Sequence, residues 1–395
     1  MSLIYLRLKK TIFTIFVKLL HKKLSRPLLK PSRIQHDQIK KILVISEHHR
    51  VADLLMTCPV YRALHEKYAQ AELTVLYRHN LKGVLENNPH ITRLLPDYIP
   101  LNLWNGLEFF KLCKKIYAKF DFAIVLPTVE QSFTADLLGY ISKARYVMGT
   151  VRESTLANYG VNLFNLQVPK QDENEHIVKK NIEFLRFAGI GTDDFSENLY
   201  LTTAEFHASI NNYAEEGVKP VDFIIGFEFE EKKIEHRHLI RIFVELAKYF
   251  SHYKNGKTIS ISMSKHNRFA EEFINALPFK PIILNEEPVR KLAGYLSHCN
   301  LIICNHLDIV HLAAGMDVPA IVLKDEQSPI YQPLTDAMIE IDISADKQFE
   351  ISPSEILQFA EKLIKKYPKS DDRYLHNLDI SDHVLDRYLG ALDSA

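Results

Sequence analysis

The stretch Leu301 to Leu323, LIICNHLDIVHLAAGMDVPAIVL, decides the fold. Leu301 to Cys304 reads as a short buried strand and Asn305 to Asp308 as a tight loop. Ile309 to Met316 then reads as a short helix, and Val318 to Leu323 as a second buried strand. Strand, loop and helix in that order aim backbone N–H groups out of the carboxyl edge of a sheet, where an anionic ligand can sit. The loop carries no phosphate-cradling glycine pattern. A βαβ unit without a ligand is therefore the other reading of the same residues.

Working outward, the same alternation repeats. Toward the carboxyl end, Ser354 to Tyr367 has helical spacing, and the tail from Lys369 reads as a last helix. Toward the amino end come strands at Phe223–Gly226, Thr258–Met263 and Ile282–Leu284. Helices at Arg237–Phe250, Arg268–Ala276 and Val289–His298 separate them. Asp193 to Pro220 is polar and reads as a junction near residue 200. Before it lies a second alternating set. Its strands are Ile42–Ile45, Glu72–Tyr77, Ile91–Leu95, Phe122–Leu126 and Tyr146–Gly149. Its helices are Ala52–Tyr68, Leu107–Lys119, Ser132–Ser142 and Glu175–Ala188, the last closed by Gly189. Strands alternating with helices predict parallel sheets covered on both faces. Two such sets predict an α/β protein of two Rossmann-like, doubly wound domains facing a cleft.

The chain has 395 residues, enough for two ordinary cores. Its 47% hydrophobic and 25% charged residues are those of a globular protein. Four scattered cysteines exclude a disulfide framework and make reduced, buried thiols the expectation. Net charge is zero but unevenly spread, because residues 1–41 hold eleven Lys or Arg against the single acid Asp37. Ile4, Leu8, Ile12, Ile15, Phe16, Leu19 and Leu20 recur at helical spacing among those basic residues. That pattern is a basic amphipathic helix, with residues 1–30 expected on an anionic membrane surface. A helix packed on the body with solvated lysines is the plainer reading. No uncharged run approaches the ~20 residues of a membrane span. GxGxxG, GxxxxGK[ST] and HExxH are all absent.

Three stretches together carry a resemblance. Val44 to Leu64, VISEHHRVADLLMTCPVYRAL, is similar to the opening of the glycosyltransferase family 9 enzymes, the lipopolysaccharide heptosyltransferases. In that family a strand is followed by a loop ending Gly-Asp, an M-T-x-P helix start and an R-A-L helix. Ala52-Asp53, Met56-Thr57-Cys58-Pro59 and Arg62-Ala63-Leu64 fill those places. Asp121 to Gly149 resembles the family's D-x-x-[IV]-x-L…R-x-x-G segment. Asn305, His311, Leu312, Ala313, Ala314 and Pro319 match its second signature, Asn-Asp-Ser-Gly-x-x-His-[LV]-A-A-A-x-x-x-P.

The resemblance implies a GT-B fold and an inverting, metal-independent transfer of a heptose-like sugar from a nucleotide-diphosphate donor. The implied acceptor is a lipid-linked glycan such as lipopolysaccharide, met at the cytoplasmic face of the cell membrane by a peripheral enzyme. Asp53 is the implied catalytic base, and its alternative is an N-cap of the helix that starts there. Asn305, His306, Asp308, His311 and Arg237 are the implied donor and phosphate-binding residues, with a solvated helix start as the alternative for Arg237. No metal, no organic cofactor and no nucleic acid is expected. The expected domains are a basic arm (1–40), an acceptor-side domain (41–200), a donor-side domain (201–368) and a tail helix (369–395).

The departures from the family pattern also matter. Ala52 stands where the family has glycine, and His306-Leu307-Asp308 where it has Asp-Ser-Gly. An acid about 5 Å from a phosphate repels it by roughly 3 kcal/mol at an effective dielectric near 20. That is about a hundredfold in donor affinity, softened if Asp308 turns back to cap its own helix. The family's Lys-Arg-Trp-Pro stretch is replaced by His236-Arg237-His238, with Lys232 or Lys233 as further candidates. These changes motivate a rival expectation, a catalytically degenerate GT-B protein that binds a glycan, a nucleotide or a partner.

Overall fold

β1 (Lys41–Ile45) is the centre of the first sheet, and its sequence KILVI explains why. Four consecutive apolar side chains, fully or nearly fully buried, suit a parallel strand covered on both faces. The start of β1 is pinned by Asp121, whose Oδ2 accepts the Lys40 and Lys41 amides at 2.9 Å each. In this computed structural model the described residues are 26–101, 105–127, 133–150, 162–172, 174–219, 221–229, 237–253, 256–264, 266–324, 331–343 and 352–369. The greater part of the basic arm, residues 1–25, and the tail beyond 369 lie outside them, so the arm and tail helices are not described. The rest of the arm folds as extended chain and short 3-10 turns. Arg26 N donates to Asn162 O and Leu29 N to Asn165 O, both at 2.8 Å.

The chain divides into two compact units. The first takes the described residues up to His49, then Pro59–Lys82 and His90–Phe195. It holds β1, α2 (Cys58–Lys67), β2 (Glu72–Arg78), β3 (Arg93–Tyr98), α3 (Gly106–Ile116), β4 (Phe122–Val125), α4 (Phe133–Ile141), β5 (Tyr146–Thr150), β6 (Leu166–Val168) and α5 (Ile177–Arg186). Its six strands are ordered β3-β2-β1-β4-β5-β6 and all neighbours run parallel. This is the order of dinucleotide-binding sheets. Its core joins Leu43, Ile45, Leu76, Val125, Leu138 and Val147 to the inner faces of α3 and α4. Gly149 is required by packing, since a Cβ there would sit 2.4 Å from the Phe164 ring.

The second unit takes Arg50–Cys58, Gly83–Pro89 and the chain from Ser196. It holds α1 (Val51–Leu55), α6 (Thr203–Glu215), β7 (Ile224–Glu228), α7 (Arg237–His252), β8 (Lys257–Ser262), α8 (Arg268–Ala276), β9 (Ile282–Asn285), α9 (Val289–Ser297), β10 (Leu301–Cys304), α10 (Leu307–Gly315), β11 (Ala320–Lys324), β12 (Met338–Asp342) and α11 (Pro353–Lys366). Its sheet order, β9-β8-β7-β10-β11-β12, repeats that of the first, again all parallel. Seven phenylalanines fill the core between β7 and the inner faces of α7 and α8.

Several boundaries differ from those the sequence predicts. Ala52–Tyr68 is two helices, because the chain breaks at Met56-Thr57 before Pro59, which has no N–H to continue the ladder. The polar junction 193–220 contains α6, whose Thr202 and Glu205 form a reciprocal capping box. β6 and β12 are short edge strands that the pattern does not announce. The strand expected at 91–95 is displaced to Arg93–Tyr98. No helix of the described residues is long and apolar enough to cross a membrane.

Candidate functional site

The carboxyl edge of the second sheet gathers the residues that the sequence singled out. β10 delivers Asn305, buried at 2% exposure, and α10 then starts at Leu307, two residues earlier than its apolar spacing suggests. His306 is the N-cap, its Nδ1 accepting the Asp308 amide at 3.2 Å. The His306 amide donates in turn to Glu228 Oε2 at 3.0 Å. Glu228 ends β7, the neighbouring strand, and is 2% exposed.

These bonds bear on the expectation of a phosphate at this helix end. The α10 N-terminus has two of its amides engaged by the protein itself, one by the Glu228 carboxylate and one by the His306 ring. A diphosphate at this helix end would compete with Glu228. Glu228 was not legible as a site residue, because it closes an apolar run, FIIGFE, and reads as the end of a strand.

Asp308 does not cap its own helix either. Its Oδ1 accepts the Ala52 amide of α1 at 2.8 Å, and the residue is 9% exposed. Ala52 is the second residue of α1, where a helix amide has no partner within the helix, so Asp308 supplies one from outside. A negative group near two helix N-termini is favoured by both peptide dipoles. Ala52 is buried and in helical conformation, not at positive φ. Alanine therefore costs nothing in backbone strain where the family has glycine.

Asp53 is the third residue of α1 rather than its N-cap, which is Arg50. The N-cap alternative is thereby removed. Arg50 Nη2 lies 2.9 Å from Asp53 Oδ1 and its Nε 3.2 Å from Oδ2, a two-pronged pair. The Arg50 side chain is half exposed while that of Asp53 is 18% exposed. The bond to Asp53 raises the Arg50 pKa first, against burial, with Asp53, Asp308 and Tyr331 adding electrostatic support. Two carboxylates and one guanidinium thus form one cluster.

His311 differs from the half-exposed Arg50 in its burial. It is fully buried, with Nδ1 bonded to Glu197 Oε2 and Nε2 2.8 Å from the Tyr331 carbonyl oxygen. Both ring nitrogens are committed, so it ties α10 to Glu197 and to the Tyr331 backbone. Burial lowers its pKa, but Glu197, the Tyr331 carbonyl and Asp308 together raise it above 6.5. Close approach on that side also explains Gly315, where a Cβ would sit 2.6 Å from Glu197 O. Arg237 opens α7, and its side chain lies outside the described residues. Burial and Glu228 push the Cys304 thiol well up, which leaves no thiolate nucleophile there.

The first unit carries its own polar group at the carboxyl edge. Ser46 Oγ lies 2.6 Å from His48 Nδ1, and Arg78, at the end of β2, bonds Glu47 at 3.2 Å. The Arg78 guanidinium also stacks over the Tyr98 ring at 5.3 Å. The sequence hinted at this polar group through the run Ser46-Glu47-His48-His49 directly after β1.

Comparison with known proteins bears on both units. The model of glycosyltransferase family 9 (heptosyltransferase) matches residues 109–350. The lipopolysaccharide heptosyltransferase 2 of Escherichia coli K12 is 25% identical over 316 residues, covering 74% of this chain and 85% of the relative. A glycosyl transferase family 9 structure from Veillonella parvula superposes with a TM-score of 0.73 at 20% identity, covering 83% of this chain and 97% of the other. The E. coli ADP-heptose lps heptosyltransferase II structure gives 0.66 at 21%, covering 82% and 99%. The two-domain α/β architecture is that of these solved structures, a GT-B-like fold.

Proposed function

Because the chain belongs to glycosyltransferase family 9 (heptosyltransferase), a family of sugar transferases, we propose that it moves a heptose-like sugar from an ADP-linked donor to a lipopolysaccharide-type acceptor, with inversion, without a metal, and at the cytoplasmic face of the membrane. ADP and heptose come from the names of its relatives. One observation carries the site assignment: the Ala52 amide is bonded to Asp308, so the helix bearing Asp53 and the turn expected to face the donor belong to one unit.

The chemistry follows from the cluster. An acceptor hydroxyl oxygen attacks the anomeric carbon while the carbon–oxygen bond to the diphosphate breaks and its electron pair leaves with ADP. Asp53 takes the hydroxyl proton, a role that requires a carboxylate within hydrogen-bond reach. Arg50, half exposed, paired with Asp53 and under the electrostatic influence of Asp308, is the cation that answers the departing charge. When Arg50 turns to the diphosphate, Asp53 loses its two-pronged partner and is free to accept a proton. Donor binding and base release are thereby coupled. Arg237 stands as a second candidate for the phosphates at the start of α7.

The test is transfer from ADP-heptose to a water-soluble, lipid-free core acceptor. Asp53→Asn is expected to lower kcat by about 10²–10⁴ with donor KM little changed. Arg50→Gln is expected to raise donor KM, and transfer is expected to persist in chelator. Full activity in Asp53→Asn would remove the base from this reading.

A further inference from the structure

α3 packs on the first core through Phe109, Leu112 and Ile116. Its opposite stripe, at the i, i+3, i+4, i+7 spacing of one helix face, is Leu107, Phe110, Lys111 and Lys114. Leu107 is 75% exposed and Phe110 56%, and the two are neighbours on one helix face, so they form a contiguous apolar patch. The Lys114 ammonium sits 4.7 Å from the Phe110 ring centroid, and exposed Tyr117 and Lys119 continue the surface beyond the helix. The acids nearby do not neutralise the stripe. Glu108 lies on its flank, and Asp97 is taken by Lys115 at 2.8 Å.

Two further exposed apolar residues extend this surface. The Leu101 amide bonds Thr134 Oγ1 at 3.1 Å, which brings Leu101 to the start of α4, beside exposed Phe133. Leu101, Leu107 and Phe133 all follow the carboxyl ends of parallel strands, the edge where open α/β sheets take ligands.

We propose that this face of the first unit, centred on Leu107 and Phe110 and rimmed by Lys111 and Lys114, docks on an anionic lipid bilayer. Apolar side chains enter the headgroup boundary while lysines meet acidic lipid, the arrangement of interfacial helices. Each lysine is expected to contribute about fivefold to partition on an anionic leaflet. The inference rests on the reading that the acceptor is lipid-linked, since docking here holds the carboxyl edge of the first sheet beside the bilayer surface. It is separate from the basic arm, as every residue used lies in the folded unit.

The experiment is co-sedimentation of the full chain with phosphatidylglycerol-containing vesicles and with pure phosphatidylcholine vesicles. The parent is expected to prefer the anionic vesicles. Leu107→Glu/Phe110→Glu and Lys111→Glu/Lys114→Glu are each expected to weaken that binding at least tenfold, about 1.4 kcal/mol. Both are expected to transfer sugar to the water-soluble acceptor at the parent rate, which also shows that they fold. Val221→Glu, at an 80% exposed apolar site in the second unit, is expected to bind like the parent. Equal vesicle binding by parent and α3 variants overturns the proposal, as does an equal loss in Val221→Glu. A parent that ignores vesicles but forms a dimer dissolved by Leu107→Glu/Phe110→Glu overturns it in favour of self-association. Absent transfer in every protein, with vesicle binding behaving as expected, would count against the proposed reaction and leave the docking face standing.

Discussion

Asp308 carries opposed demands in a single side chain. As a carboxylate it accepts the Ala52 amide, and as a negative charge it repels any diphosphate brought to the same turn. Asparagine separates the two roles, because its Oδ1 still accepts an amide hydrogen while the charge is gone. Asp308→Asn is therefore expected to lose little stability, a fraction of the ~1 kcal/mol of an ordinary hydrogen bond. It is expected to bind ADP more tightly by about tenfold. That is less than the hundredfold of an unscreened pair, because Arg50 already offsets part of the charge. Calorimetry on parent and variant checks this, and unchanged affinity would place the phosphates away from residue 308. The sequence showed that an acid stands where the family has glycine. It did not show that the acid is spent on another helix, because that partner lies 256 positions away.

Between elements, one tie that the sequence concealed is that of α10 to the chain before α6, through His311 and Glu197. An alanine-rich helix with one histidine resembles a ligand-binding signature, and its burial on both ring nitrogens is visible only in three dimensions. α6 was concealed for a different reason. TTAEFHASINNYAE is too polar to show an apolar stripe, although Thr202 and Glu205 three residues apart were a start signal on their own. The His311 pair has a pH signature whose sign is fixed. Its folded pKa is raised above the unfolded 6.5, so its stabilisation is complete below about pH 6.5 and is lost as pH rises through the folded value. Melting temperature is expected to fall as pH rises above about 6.5, and this slope is expected to flatten in His311→Gln. His311→Ala, which leaves the Glu197 charge buried and unpaired, is expected to cost about 3–5 kcal/mol. Parallel pH curves for parent and His311→Gln would show that the pair does not titrate in this range.

For the whole chain, the alternation of strands and helices was legible because parallel strands buried on both faces are apolar throughout and stand out against amphipathic helices. The identical order of the two sheets was not legible, since neighbours within a sheet are set by crossover handedness and packing rather than by local pattern. Nor did the sequence reveal that Arg50–Cys58 and Gly83–Pro89 belong with the second unit. That membership makes a prediction about donor recognition. If ADP binds at the second sheet's carboxyl edge, it stabilises the folded chain by an amount fixed by its concentration relative to its dissociation constant. A hundredfold excess contributes about 2.7 kcal/mol. For a unit of about 200 residues that is a rise of roughly 5–10 °C in melting temperature. UDP at the same concentration is expected to produce little shift, and Asp53→Asn to shift with ADP as the parent does, because a base acts on the acceptor and not on the nucleotide. Equal shifts with both nucleotides would mean that the diphosphate alone is recognised. No shift with either would mean that the Glu228 carboxylate, already bonded to the His306 amide, keeps a diphosphate from the α10 helix end.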